Sequence, residues 1–346
     1  MSPAMTTDDP PRPAQNSVRP SPSFETLAEP FRRELKLHCY RMLGSLHEAE
    51  DLVQDTYLRA WRAFDGFEGR GTFRGWLYRI ATNVCLDAIE SRKLVRRMLP
   101  DDTGPAATRV RMPDGPPSTE VAWLEPYPDS EIEAIADEAP NPEARYSARE
   151  AVQLAFVAAI QQLPARQRAA LLLCDVLGWA ANEAATLLGG STASINSALQ
   201  RSRETLAKRY PEGRPPAAPR PSARQQKLLD RYLKAWESRD IDGFVALLKE
   251  DAHFTMPPWP MWYAGCADVG AFIALAWQHR GDLRLTPTMA NGQPAFAIYE
   301  RGADGRFTAH ALQVLECDDD MVSTITMFLP PAGPELFEAF GLPPVS

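Results

Sequence analysis

The spacing of apolar positions divides the chain into two helical segments, two polar linkers and a strand-bearing C-terminal part. Over 24–100, apolar residues recur at helical intervals with no strong strand pattern. The stretch HEAEDLVQDTYLRAWRAF, His47 to Phe64, predicts a helix with Val53, Tyr57, Ala60, Trp61 and Phe64 on one face. Glu48, Asp51 and Asp55 share another face, with Gln54 adjacent. A further helix is expected from Trp76, burying Trp76, Leu77, Ile80, Val84 and Ile89 and ending in Arg92, Lys93, Arg96 and Arg97. Residues 144–210 are helical again. Leu163, Ala170, Leu171, Leu173, Val176 and Leu177 have helix-compatible spacing, and Pro164 suits a first turn. Helix 181–188, the turn Gly189-Gly190-Ser191 and a helix from Thr192 follow, the last with Ile195, Leu199 and Leu206 as its buried stripe. Over 226–346 the pattern changes to two or three helices and then strands at 283–290, 295–300, 307–317 and 321–329, broken by NGQP, GADG and DDD.

Between these units lie a Pro/Ser-rich tail (1–23), an acidic, Pro-containing linker with little fold of its own (101–143) and a Pro-rich, semi-extended linker (211–225). The chain has 346 residues, 45% of them hydrophobic, enough for two or three cored domains. No run of about 18 apolar residues occurs, so no membrane span is expected, and the first residues lack a secretory pattern. Five scattered cysteines with no CxxC pair indicate neither a metal site nor a disulfide framework, and fit reduced thiols in a cytoplasm. The net charge of −8 is uneven: +2 over 24–100, −9 over 101–143, +4 over 144–211 and −7 over 226–346. Whole-chain charge would argue against nucleic acid as a partner. The two basic helical segments reopen that possibility.

The helix from Thr192 exposes Thr192, Ser194, Asn196, Ser197, Gln200, Arg201 and Arg203 rather than a Glu/Lys mixture. A short helix, a Gly turn and a second helix form a helix-turn-helix pattern, whose second helix enters the major groove. Asn and Gln suit adenine, Arg suits guanine, and Arg203 further along suits phosphate. The competing reading is an ordinary surface helix of a helical hairpin. In the first segment, Phe67, Phe73, Trp76 and Tyr78 alternate with Arg70, Arg74 and Arg79. That mixture supplies stacking faces and backbone charge for single-stranded nucleic acid. The same aromatics would equally serve as core.

Four motifs in order, AEDLVQDTYLRAW, FRGWLYRIATNVCLDAIESRK, LPARQRAALLLCDVLGW and SINSALQRSR, resemble the extracytoplasmic-function (ECF) sigma factors of bacterial RNA polymerase. The resemblance spans roughly 24–99 and 144–208. It implies that Asp51, Leu52, Gln54 and Asp55 grip the clamp helices of the core polymerase large subunit. Arg70, Phe73, Arg74, Arg79, Asn83, Arg92 and Lys93 would hold the opened −10 element. Thr192, Ser194, Asn196, Ser197, Gln200, Arg201 and Arg203 would face the −35 element, beside the polymerase flap. The acidic linker would thread near the polymerase channel, with WLEPYPD (123–129) as an anchor against polymerase or another domain. Residues 226–342 resemble the SnoaL-like members of the NTF2-like α+β fold, through LLDRYLKAWESRDIDGFVALLKEDAHFTMPP and WYAGCADVGAFI followed by strands. The expected fold is therefore multidomain: two all-α domains, the second a helix-turn-helix, and then an α+β cone-shaped domain. A related tailed group ends in a Gly-rich acidic motif, which FEAFGLPPVS lacks, so that group's regulation does not carry over. The cone implies a pocket, for which Phe254, Met256, Trp259, Met261, Trp262, Phe272, Trp277 and Met327 are candidates, with His253, His279 and His310 as polar groups. A regulatory or ligand-sensing domain is expected rather than an enzyme, with no cofactor and no metal. The sequence identifies no anti-sigma factor and no ligand. A dimeric helix-turn-helix regulator would leave the Asp51/Gln54/Asp55 helix unexplained, and an enzyme would lack an obvious nucleophile or phosphate loop.

Overall fold

The computed structural model describes residues 23–69, 71–91, 96–138, 151–209, 221–318 and 320–345. The first unit is built from α1 (Phe24–Ala28), α2 (Arg32–Leu43), α3 (Leu46–Ala63) and α4 (Phe73–Ser91). Gly44 ends α2 in the left-handed region (φ 73°), and Ser45 caps α3 by accepting from the Glu48 amide at 3.1 Å. Leu35, Leu37, Val53, Ala60, Leu77 and Val84 fill the interior of these helices. The second unit comprises α6 (Leu154–Gln161), α7 (Ala165–Leu171) with a π turn over Leu172–Val176, α8 (Ala181–Leu188) and α9 (Thr192–Arg209). Gly189 closes α8 at φ 65°, a conformation that a Cβ-bearing residue adopts only with strain, and so sets the sharp turn into α9. Among the described residues no helix is long and apolar enough to cross a membrane.

The third unit has α10 (Ala223–Ser238), α11 (Ile241–Val245) and α12 (Cys266–Gln278) on one side of a six-stranded sheet ordered β2-β1-β6-β5-β4-β3. Its strands are β1 (Leu248–Thr255), β2 (Trp262–Ala264), β3 (Leu283–Ala290), β4 (Gln293–Arg301), β5 (Phe307–Asp318) and β6 (Met321–Phe328). Four of these coincide with the strands expected from alternation. β1 and β2 were not expected. β1 opens with Lys249, Glu250 and Asp251 and its register with β6 shifts between Leu248 and His253, so no clean period-two pattern marks it. The opposite face of the sheet is covered by α13 (Ala332–Ala339) and by the helical units, giving one continuous core that contains Leu154, Val314, Leu312 and Phe337.

The two helical units pack directly on one another. The Arg168 guanidinium is buried and uses every donor: Ile160 O at 2.9 Å, Gln161 O at 2.9 Å, Leu163 O at 3.1 Å, Gln161 Oε1, and Met42 O of the first unit. Gln161 Nε2 returns a bond to Arg41 O at 3.1 Å, and Arg41 Nε donates to Ala151 O at 2.9 Å. Burial lowers the pKa of Arg41 and of Arg168 to about 10, so both remain cations at neutral pH.

The acidic segment over 101–138 carries one regular helix, α5 (Asp129–Glu138), yet it runs against all three units as a strap. Its WLEPYPD stretch is the anchor. Leu124 and Tyr127 are fully buried, and the Leu124 methyl lies so close to Gly44 that a Cβ there would meet it at 2.7 Å. Glu125 Oε2 accepts from Ser45 Oγ (3.0 Å) and from the Leu46 amide (2.8 Å), and pairs with His47 Nδ1 (3.0 Å). Apart from α5 and one short 3-10 turn the strap has little regular structure; what the sequence did not indicate is that it is packed against the folded units. The strap makes few ladder bonds, but side chains and amides of the folded units bind Glu125 and the Tyr127 amide.

The hairpin between β3 and β4 closes this assembly. Asn291 and Gly292 both have positive φ (57° and 69°), the geometry of a two-residue type I′ turn. The Asn291 carboxamide accepts from the Tyr127 amide (2.8 Å) and donates to Tyr40 Oη (2.8 Å) and Val152 O (2.7 Å). Asn291→Gly keeps the backbone conformation but deletes these bonds, so it is expected to lower unfolding free energy by about 2–3 kcal/mol. Asn291→Ala adds the strain of a left-handed alanine, about 1 kcal/mol more. Urea denaturation followed by tryptophan fluorescence measures both; equal stability of Asn291→Gly and the parent chain would contradict this account.

Candidate functional site

Three faces carry the candidate chemistry. On α3, Asp51 and Gln54 are exposed and Asp55 is half-buried, all on one side of the helix. Leu52 is 1% exposed and belongs to the core, so its expected role as a surface contact is withdrawn: it faces the interior of the bundle. Trp61, expected in the core, is 58% exposed, and Leu58 beside it is 46% exposed. Residues 51, 54, 55, 58 and 61 follow the i, i+3/i+4 rule, so the polar stripe continues into an apolar patch. The signal was legible: Leu58 interrupts the polar face at helical spacing. A large aromatic and a leucine held in water beside acidic groups form a surface suited to a protein partner.

The aromatics before and within α4 make a cluster. Phe73 packs edge-on to Phe24 (6.4 Å between ring centroids) and Phe64 (6.1 Å), and lies near Trp76 (5.4 Å). Phe67 sits 5.0 Å from Trp76 in a tilted stack. Tyr78 is fully buried and donates to Glu34 at 3.3 Å. Phe73 is thus held among rings of its own unit and is half-buried. Arg74, expected on nucleic acid, is committed to Glu34 by bonds of 3.0, 3.0 and 2.8 Å and lies over the Tyr78 ring at 4.8 Å. Its role is to fasten α4 to α2. Arg79 and Asn83 are exposed one turn apart on α4, on the side that also carries the half-buried Trp76. Arg97, at the basic end after α4, is likewise committed: Nη1 donates to Trp123 O (2.7 Å) and Nη2 pairs with Glu48 (3.1 Å). Arg96 is exposed. Arg70, Arg92 and Lys93 lie outside the described residues.

On α9, Ile195, Ala198, Leu199, Ser202 and Leu206 are buried, which turns the other side of the helix outward. Thr192, Asn196, Ser197, Gln200 and Arg201 are exposed on that side. Ser194 is exposed, but it is taken up in starting the helix. Its hydroxyl accepts from the Ser191 amide (3.0 Å), while the Ser194 amide donates to Ser191 Oγ (3.1 Å). Arg203 forms a two-pronged pair with Asp175 of the π turn (3.0 and 2.7 Å). These two expected DNA contacts are therefore corrected to structural roles. Gln200 is tethered at 2.9 Å to Glu204, which orients its carboxamide outward. The arrangement presents small hydroxyls, two amides and a guanidinium on one helix after a tight turn, the donor and acceptor set that reads base edges.

The cone of the third unit encloses a cavity of about 160 Å³. Phe254 and Trp259 line it as expected, together with Phe272, Trp277 and Met327. Met256 is core outside the cavity. Trp262 turns toward the strap, its Nε1 donating to Gly104 O at 2.9 Å. His279 is exposed at the end of α12, bonded to Leu275 O at 2.9 Å. These three are corrected as lining residues. The histidine at the cavity is His310, whose Nδ1 lies 3.3 Å from Glu300, itself paired with Arg280 at 3.3 Å. Burial brings the His310 pKa down to about 4, so the ring is neutral near pH 7.

Comparison with known proteins accords with these three units. The family model for Sigma-70 region 2 matches residues 27–95, that for Sigma-70 region 4 matches 153–206, and that for the SnoaL-like domain matches 229–325. ECF RNA polymerase sigma factor SigG of Mycobacterium tuberculosis is 46% identical over 335 residues, covering 92% of this chain and 84% of that protein. SigE of Mycolicibacterium smegmatis is 31% identical over 187 residues, covering 54% and 60%. The crystal structure of the M. tuberculosis ECF sigma factor SigJ superposes on 91% of this chain and 98% of its own, with a TM-score of 0.57 at 22% identity, and so shares the fold.

The two arginines of α9 separate structure from recognition. Arg203→Ala is expected to lower stability by about 0.2–1 kcal/mol, since its pair with Asp175 is partly exposed. Arg201→Ala should leave the melting temperature within about 1 °C, as expected for an exposed surface change. Parallel thermal melts check this; a larger loss for Arg201→Ala would reverse the assignment.

Proposed function

This chain belongs to the extracytoplasmic-function RNA polymerase sigma factors, and from that premise we propose how its faces are used. The α3 stripe of Asp51, Gln54, Asp55, Leu58 and Trp61 docks on the clamp helices of core polymerase. Arg79, Asn83, Arg96 and the accessible edges of Phe67 and Trp76 hold the unpaired −10 strand. Thr192, Asn196, Ser197, Gln200 and Arg201 read the −35 element as duplex, beside the polymerase flap. The chain works in the cytoplasm as a dissociable polymerase subunit without chemistry of its own. The observation that carries the polymerase assignment is the exposed Trp61–Leu58 patch continuous with the acidic stripe.

The C-terminal domain acts as a regulator by setting the separation of the two helical units. The centres of the −35 and −10 elements lie about 25 base pairs apart, on the order of 80 Å of duplex at about 3.4 Å per pair. Here Arg168 of the second unit bonds Met42 of the first, and we read this docked arrangement as too close to span that length. Asn291 and the strap support this arrangement from the third unit. The compact form is therefore read as the resting state, and core polymerase as the partner that draws the units apart.

Run-off transcription with bacterial core polymerase tests this reading. The full chain should yield promoter-dependent transcripts, and the free chain should bind promoter DNA weakly, because its modules carry only small positive charge. Leu58→Ala with Trp61→Ala should weaken co-migration with core polymerase at least tenfold, with the melt unchanged. Asn196→Ala or Gln200→Ala should lower output at a given promoter by roughly 5–100-fold, the range for one lost base contact. A chain ending at Tyr210 should differ in output from the full chain at equal concentration. No transcript and no association with polymerase would refute the reading.

A further inference from the structure

The sheet of the third unit carries a second cavity, on the face turned away from the cone. Strand alternation sends Phe254 and Met327 into the cone, and His253, Thr255 and Thr326 to the other side. There the register sets side chains in two rows. His253, Thr324 and Glu316 stand side by side across β1, β6 and β5, and Thr255, Thr326 and Val314 form the next row. The helical units do not close fully on this patch. A space of about 260 Å³ remains between it, Leu154 and Ala155 of α6, and Leu99 and Asp101 where the strap begins. The walls thus come from the sheet, the second helical unit and the strap, and they meet only while these parts are docked.

Polar groups at this cavity keep unused bonding capacity. Gln293 of β4 lines it and is 8% exposed. Its Oε1 accepts from the Leu154 amide at 3.0 Å, which fixes the carboxamide and directs Nε2 away from α6. Among the described residues Nε2 meets no acceptor, yet it is not sealed off by protein atoms, so its N–H donors open on the cavity. The buried Thr255 and Thr326 hydroxyls bond each other at 3.2 Å, which leaves one O–H of the pair without an acceptor among the described residues. Asp101 and Glu316 add carboxylates, and no lysine or arginine stands among the described lining residues. An anion would lose its hydration here and face like charge. A simple ammonium suits the carboxylates but offers Gln293 no acceptor. Hydroxyl groups both donate and accept, and so match the whole set. The wall opposite the sheet is apolar, with Leu99, Leu154 and Ala155, and suits the C–H face of a ring. At about 30 Å³ per water in the liquid, the volume is that of roughly nine waters, room for one hydroxylated ring.

We propose that this cavity between the units binds a neutral, polyhydroxylated ring of monosaccharide size, and that the molecule ties the sheet to the helical units. Its walls part when the units separate, so the ligand favours the docked form. By reciprocity, docking tightens ligand binding by the same factor. The direction of the effect on transcription rests on the resting-state reading above; the binding itself does not.

Calorimetry on the full chain tests the site with glucose, galactose, mannose and myo-inositol, alongside putrescine as a cation and cyclohexanecarboxylate as an anion. At least one polyol should bind with a millimolar or tighter Kd, and the two charged probes about tenfold more weakly or worse. Gln293→Glu keeps an oxygen for the Leu154 amide but removes the N–H donors, and should weaken the polyol about tenfold or more. Thr324→Val, nearly unchanged in size at the centre of the first row, should weaken it about three- to tenfold, the effect of one lost hydrogen bond. Circular dichroism and a cooperative melt check that both variants are folded. No binding of any polyol would overturn the proposal. So would tighter binding of putrescine, or polyol binding untouched by both substitutions in folded protein. In run-off transcription, the bound polyol should lower output of the parent chain and not of the Gln293→Glu chain. Binding that follows the expected order with output unchanged would support the cavity assignment and overturn the resting-state reading instead.

Discussion

The structure depends on one carboxamide. Asn291 occupies a turn position with positive φ, where glycine or asparagine is favoured, and asparagine alone of the two brings a polar group. That group meets Tyr40 of the first helical unit, Tyr127 of the strap and Val152 at the approach to the second. Both N–H donors and the oxygen are used, so a buried amide that would be costly unpaired becomes a fixed joint between four parts of the chain. Around it the Tyr40 hydroxyl donates a hydrogen bond to Glu125 O at 2.8 Å, and Gly292 N donates to Asp129 at 2.7 Å. A slip of the β3–β4 register by one residue would turn the carboxamide away and break all of these at once. The hairpin register therefore determines how the helical units sit on the sheet.

The uneven charge of the chain acquires a structural meaning from the same seam. The acidic strap sets Glu131 near Arg33 (3.6 Å) and Lys36 (4.0 Å), and Glu125 near Arg97 and His47. Cations of the first unit are thus partly neutralised within the chain. The −9 of the linker and the +2 of the first helical unit are two halves of one arrangement. Glu125 is held below the ordinary carboxylate range by His47 and Arg97, against the opposing effect of burial, and His47 is raised by the same contact. The pair is favourable above the unfolded pKa of Glu125, near 4, and fades as pH rises past the raised pKa of His47.

Much of this was legible from periodicity. The helix-turn-helix followed from Gly189 and the buried stripe of α9, and four strands followed from alternation. Other features were hidden for identifiable reasons. In β1 three charged residues follow Leu248 and the register with β6 shifts, so alternation fails where the strand is irregular. Arg74, Arg97 and Arg203 look alike in sequence to Arg79 and Arg201, but Glu34, Glu125 and Asp175 claim the first three through long-range contacts. Sequence gives the charge of a residue and not its partner. Trp61 was placed by helical spacing on the apolar face with Val53, Tyr57, Ala60 and Phe64, but it lies at the border of that face and shares the phase of Asp51 and Leu58, which turns it outward. The strap was read as structureless because it lacks periodicity, whereas its order comes from polar groups outside it.

The compact arrangement leaves the proposed recognition faces open. Asp51, Gln54, Trp61, Asn196, Ser197, Gln200 and Arg201 are all exposed while the units remain docked. On the proposed reading the seam controls distance rather than access: each face is open, and the units have to separate to reach their respective promoter elements. Control by spacing asks little of the regulatory domain. It need not cover a binding surface, only stabilise the seam by more than polymerase and promoter gain from separating the units. The strap, bonded to the third unit at Pro258, Trp262 and Tyr263 and anchored against Gly44 of the first, is the described segment through which the third unit can bear on the seam.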